Sequence, residues 1–285
     1  MNKFIPSGHQ YNLRKDDPNH PDKVERRITA PSTFVLPSAV SQTYFMGPIR
    51  DQGNEGACTG ELKSEYLDCK YRHYYSSQVN KTVPPSTFMA SARFAYVTNL
   101  IADGDFGKDN GSTIHQSFVT MNSLGICLDS QDPYTGTASD YSTQPTAAQY
   151  ADALIYKGDG YFSLPTLQEV KMTLSGGQTV GIGINVYESF ESTQLANTGF
   201  MVMPKAKEQL LGGHAQHVLA YSDLVQFPDG QKGGVFIQNS WGTSWGLSSV
   251  YQPKSRGCYW MPYAFFTYVD PNGNGTGVSD MWFML

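Results

Sequence analysis

The chain has 285 residues, 40% hydrophobic and 13% aromatic, with a formal net charge of −5. This is enough apolar material for a large buried core, in one big domain or two small ones, and it argues against a disordered chain. Mild acidity without a long basic run argues against nucleic acid or an anionic membrane surface as partner, and no stretch reaches the roughly 18 apolar residues of a membrane span.

The first eight residues lack an apolar h-region, so no secretory signal peptide is visible; a cytoplasmic protein, or one exported by a non-classical route, is expected. Residues 1–45 are rich in charge, Pro, Asn and His, with no helical or strand period. They form a leader, either a disordered tail or an extended segment laid against the rest. The character changes at 46–53. From Cys58 to about Tyr75 there is no proline, and Gly60 is the only glycine. Leu62, Tyr66, Leu67, Cys69 and Tyr71 make a helical stripe with Glu61, Lys63, Glu65 and Asp68 between them, which predicts a helix starting at or just before Cys58. A second helix is expected over 86–101. A third follows the turn-and-cap signal Asn110, Gly111, Ser112 and stops at Gly125; a short fourth covers 167–174. Strand-like runs then occupy 180–186, 217–221 and 234–238, separated by Gly, Pro and Asp turns. Residues 271–277 read as a flexible loop. Helices first and strands later imply an α+β fold with two lobes, a mainly helical one over 46–155 and a mainly β one over 156–285.

Four cysteines, Cys58, Cys69, Cys127 and Cys258, are too few and too irregularly spaced for a disulfide scaffold. No C-x-x-C occurs, so neither a structural zinc nor another metal is expected. Most of the four fit the role of small buried apolar residues. Cys58 differs, because it follows small residues and opens a helix. Unpaired N–H groups and positive potential at a helix N-terminus favour a thiolate. Gln52, six residues upstream, carries an amide that could reach back and, with the Cys58 backbone N–H, form an oxyanion hole. Alone, the segment fits equally a buried cysteine beside a turn.

Two later segments answer to it. In Gly212, Gly213, His214, Ala215 a histidine enters an apolar strand after a glycine pair, and histidine is the natural base for a thiol. His217 competes with His214; an odd spacing on a strand sends the two to opposite faces, so one alone can face a cleft. Asn239 follows the third strand and precedes Trp241. An asparagine there can accept from the imidazole N–H and fix its tautomer, with the indole shielding the bond.

Taken in order, the Gln52-to-Cys58, His214 and Asn239-to-Gly246 segments resemble the papain family of cysteine peptidases, its bacterial and viral branch more than lysosomal cathepsins. The Cys-to-His separation is somewhat longer than the roughly 130–150 residues usual there. The resemblance covers nearly everything after residue 35. It implies the papain-like two-lobe fold, with Cys58 as nucleophile, His214 rather than His217 as base and acid, Asn239 orienting His214, and Gln52 completing the oxyanion hole. It also implies that Gly111 and Ser112 line the cleft and hydrogen-bond the substrate backbone. Ile114 and Ala215 would line an apolar pocket for the second residue before the scissile bond, and Trp241 would cover the His–Asn pair. Thr59, Glu55, Gln216 and Ala220 depart from the family's usual residues; Glu55 replaces a bridged cysteine, so that disulfide is absent. The expected activity is peptide-bond hydrolysis through a thioester, with a peptide or protein substrate, no cofactor, and a monomeric chain. The leader then becomes a candidate prosegment crossing the cleft. A catalytically silent binding protein, and a cell-wall amide hydrolase or transpeptidase using the same pair, are the alternatives.

Overall fold

The structure, a computed structural model, describes residues 8–21, 35–79, 88–137, 139–250 and 252–285, the side chains of 75–79 excepted. Cys58 is the first residue of α1 (Cys58–Val79), which runs a turn past the predicted end. Leu62, Tyr66 and Leu67 pack with Phe94, Phe118 and Met121 in one core. The intervening charges are buried too, where the sequence pattern would leave them in water. Asp68 accepts from Arg50 Nη2 at 2.7 Å and from the Ala90 N–H at 2.7 Å. Lys63 Nζ donates to Thr120 Oγ1 at 2.8 Å and Thr98 Oγ1 at 3.1 Å. Asp68 is thus paired with Arg50, and hydroxyl oxygens take the place of water around Lys63.

The second helix, α2 (Ala92–Ala102), starts later than expected because Ser91 Oγ caps it, accepting the Phe94 N–H at 2.9 Å; the predicted start, near 86, lies outside the described residues. In α3 (Ile114–Ser123) the cap is Thr113, one residue past Ser112. Two short helices not foreseen, α4 (Ser139–Ser142) and α5 (Ala147–Ala153), complete this part. Then α6 (Leu167–Ser175) and α7 (Thr193–Thr198) flank the sheet. No helix among the described residues is long and apolar enough to cross a membrane.

The strands are β1 (Ala39–Ser41), β2 (Tyr161–Leu164), β3 (Val180–Tyr187), β4 (Leu210–Gln226), β5 (Lys232–Gln238), β6 (Leu247–Ser249), β7 (Gln252–Pro262) and β8 (Val278–Met284). They form an antiparallel sheet in the order β2-β8-β3-β4-β5-β7-β6, with β1 added to β4. Strand β4 is far longer than the predicted 217–221 because β3 pairs with its first half and β5 with its second. Ile182, Val186, Val218, Val235, Ile237 and Tyr259 fill the second core, inside the sheet. Strand β8 ties the lobes: Trp282 joins the helical core, and the Met284 N–H donates to Tyr66 Oη at 2.8 Å.

One sequence expectation needs correction, and one alternative is decided. The loop 271–277 is anchored: Asp270 accepts the Asn272 N–H, Asn274 Nδ2 and Tyr187 Oη at 2.7–2.9 Å, a side chain closing its own turn. The leader is described over 8–21 and 35–45: residues 8–21 are laid along the protein, the second of the two readings, and 39–41 form β1 on the sheet. Its Asp16 is buried, accepting the His115 N–H at 3.0 Å and Trp282 Nε1 at 2.5 Å.

Candidate active site

The start of α1 meets β4. Cys58 is completely buried, with the Ala215 and Thr59 backbone N–H groups turned to its sulfur. Burial pushes the thiol up to about 12, outweighing those N–H groups, which pull it down. The helix-start preference for thiolate is therefore overridden here. His214 is also completely buried. Burial brings its imidazole down to about 4, partly offset by Asn239. Between those values the pair is neutral.

His214 Nε2 lies 2.8 Å from Asn239 Oδ1, while Nδ1 has no hydrogen-bond partner among the described residues. The Trp241 ring stacks near His214, with centroids 5.4 Å apart and planes 24° from parallel. His217 points elsewhere, opposite Gln238 and toward the Tyr66 ring, as the odd spacing requires. Gln52 is buried and held at both ends: Oε1 accepts Ser240 Oγ at 2.8 Å and Nε2 donates to the Glu55 carbonyl at 2.9 Å. The second Nε2 hydrogen stays available. Glu55, in the place of the family's bridged cysteine, is buried against Tyr134 Oη at 3.0 Å; burial raises it to about 7. All four cysteines are unbridged.

The cleft is covered by the leader. The His9 ring stacks on Trp241 at 4.4 Å and 7°, and its Nδ1 lies 3.1 Å from the Gly53 carbonyl. Tyr11 stands edge-on to His214 with centroids 6.1 Å apart. Asn12 pairs with Gly213 as a parallel bridge, and its Nδ2 donates to the Asp109 carbonyl at 2.9 Å. The Leu13 N–H donates to the Gly213 carbonyl at 3.2 Å, and the Arg14 N–H to the Ser112 carbonyl at 3.0 Å.

The expected pocket residues come together around Leu13. Leu13 packs against the core that holds Ile114 and Ala215. Between them lies Gly183, opposite Ala215 in the sheet; a Cβ there would sit 3.0 Å from Leu13 Cδ2 and 3.4 Å from Ile114 Cδ1. Gly111 lies against the leader backbone. Its N–H is given to Tyr96 Oη at 3.1 Å, and a Cβ on it would lie 1.8 Å from the Asn12 carbonyl oxygen. At φ +67° it offers the cleft room for a passing backbone, and Ser112 supplies the acceptor.

Sequence reasoning missed Gly183, Ser240 and the two carboxylates Asp103 and Asp105, which pair with Arg14. Gln216, noted only as a departure, donates from Nε2 to Asn239 Oδ1 at 3.2 Å and accepts from Tyr259 Oη. The glycine in an apolar strand was the one available signal for Gly183.

A helical lobe facing a curled antiparallel sheet, with cysteine and histidine at their junction, is the architecture of a cysteine-type peptidase. The family model described as papain family cysteine protease matches residues 101–258, more than half of the chain, and the chain belongs to that family. The matched span holds His214 and Asn239 and begins after Gln52 and Cys58. The sequence is 29% identical over 240 residues to an uncharacterized peptidase C1-like protein of Acanthamoeba polyphaga mimivirus, covering 81% of this chain and 67% of that one. The fold is similar to that of xylellain, a cysteine protease from Xylella fastidiosa, with TM-score 0.75, 24% identity, and 96% and 95% of the two chains covered. It is also similar to proCathepsin B S9 from Trypanosoma congolense, with TM-score 0.63, 16% identity, and 94% and 86% covered.

Proposed function

We propose that the chain is a cysteine endopeptidase held latent by its own leader, 1–45, with Gln52 and Cys58 supplied by a lobe spanning 46–155 and His214 and Asn239 by a lobe spanning 156–285. The observation that carries this is the orientation of His214. Asn239 occupies Nε2 and leaves Nδ1 for the Cys58 sulfur, which lies at the N–H of the next residue, Ala215. Once residues 9–14 leave, water reaches the pair and the burial that keeps it neutral is lifted. The thiol proton then passes to His214 Nδ1, and the Asn239 carbonyl supports the imidazolium. Thiolate attacks the substrate carbonyl, and the Cys58 N–H and the available Gln52 Nε2 hydrogen hold the oxyanion. His214 returns the proton to the leaving amine, then draws one from water to hydrolyse the thioester.

Peptide hydrolysis by the chain after removal of its leader tests this. Cys58→Ala and His214→Ala should each lower kcat/KM at least about a thousandfold. His217→Ala, at a residue outside the cleft, should cost stability and leave kcat within about tenfold per folded molecule. Full activity in either of the first two variants contradicts the assignment.

A further inference from the structure

The leader occupies the cleft in register with features that stay behind when it leaves. Moving away from His214, Tyr11 is followed by Asn12 at Gly213, Leu13 in the apolar pocket and Arg14 at Ser112. The Arg14 guanidinium reaches two carboxylates: Nη2 is on Asp103 Oδ2, and Nη1 is 3.3 Å from Asp105 Oδ2. Both carboxylates are held by residues outside the leader. Ser112 Oγ donates to Asp103 Oδ2 at 2.7 Å, and Asn110 Nδ2 donates to Asp105 Oδ1 at 3.0 Å.

We propose that Asp103 and Asp105 form an acidic subsite that selects an Arg or Lys side chain at the third substrate residue before the scissile bond, one position beyond the apolar pocket. This rests on the peptidase function proposed above. The pocket holding Leu13 takes the second residue, so the next side chain outward arrives where Arg14 now lies. A substrate X-Leu-Gly runs opposite to the leader, in which Arg14 follows Leu13, so the position of the Arg14 side chain carries over and its backbone bond to Ser112 does not. With Arg14 in place the Asp103 and Asp105 side chains are 12% and 19% exposed, and its departure leaves two carboxylates side by side without their counter-charge. A substrate cation restores the pairing, with a planar guanidinium able to bridge both carboxylates. A carboxylate at the same position meets two like charges. Residues 13 and 14 therefore carry a consensus for the cleft they close: leucine for the pocket, arginine for the acidic pair.

The test uses the full chain, folded intact, with a site for a sequence-specific protease placed at the exposed turn 17–19; it is then cut and separated from the leader fragment. Fluorogenic peptides X-Leu-Gly, with X as Arg, Gln or Glu, should be cleaved with kcat/KM falling in that order. Arg should exceed Glu by about tenfold or more, and the gap should narrow in high salt. The paired change Asp103→Asn with Asp105→Asn should abolish the ranking while cleavage of the Gln peptide persists. Equal rates for the three peptides would overturn the subsite, leave the peptidase assignment standing, and make the acidic pair a latch for the leader alone. If none of the peptides is cleaved, binding tests the acidic pair apart from the peptidase assignment. A synthetic copy of residues 8–21 should bind the cut Cys58→Ala chain about tenfold more tightly than the same peptide carrying Arg14→Glu. Equal binding would overturn the subsite irrespective of catalysis.

Discussion

Gln216 stands two residues after His214 on β4, so the two side chains share a face. Tyr259 Oη donates to Gln216 Oε1, and Gln216 Nε2 donates to Asn239 Oδ1, the atom that also meets His214. The relay dictates which end of the Asn239 amide faces the histidine. In the proposed mechanism Gln216 is therefore a positioning residue. Gln216→Leu should lower kcat about tenfold with KM little changed and should shift the pH limb assigned to His214. Gln216→Glu, which sets an acceptor against Asn239 Oδ1, should be worse. Steady-state kinetics across pH checks both, and an unchanged pH profile in either variant would reduce Gln216 to packing. Cys58, Gln52, His214 and Asn239 could be singled out from sequence because each sits in a short local motif. Gln216 was visible only as an oddity, since its partner Tyr259 comes from a strand further along the chain. Asp103 and Asp105 carried no local signal at all; their partner is the distant Arg14.

At the scale of elements, α1 departs most from its sequence pattern. The pattern located its start at Cys58 and its apolar stripe, but alternation alone cannot tell a solvated charge from one buried by later elements. Glu61 is fully buried, with neither carboxyl oxygen partnered among the described residues, and burial raises it to about 8. Its folded value lies above the ordinary 4.5. The folded state must therefore keep a proton that the unfolded chain releases. That contribution is fully present below about pH 4.5 and is lost as pH rises through 8, at up to about 1.4 kcal/mol per unit. Glu61→Gln removes the titration. Thermal melts should show the variant gaining on the parent between pH 5 and 8, and a difference constant across that range would mean the carboxyl is charged in the fold. Elements built by distant pairing, such as the full length of β4 and the late strand β8, were likewise beyond local periodicity. Their extent depends on which neighbours reach them.

For the whole molecule, the two-lobe α+β plan followed from the order of helical and strand-like segments, and the family follows from the match over 101–258. What sequence left open was the leader, since charge, Pro and Asn describe a disordered tail and a bound strap equally well. The described part of the leader is tied down by Asp16 at α3, by Arg14 at the acidic pair, by Asn12 at Gly213 and by His9 on Trp241. With these contacts in place Cys58 and His214 are sealed from solvent and held neutral. Under the proposed function, latency and catalytic competence are two states of one cleft, set by whether residues 9–14 occupy it.

The rate at which an epoxide thiol probe labels Cys58 measures this directly, in the intact chain and in the chain cut at the turn 17–19 and freed of its leader. Labelling should be slow in the intact chain, rise by at least about a hundredfold after the leader is removed, and fall back in His214→Ala. Equal labelling before and after removal, or undiminished labelling without His214, would contradict a Cys58–His214 centre closed by its own leader.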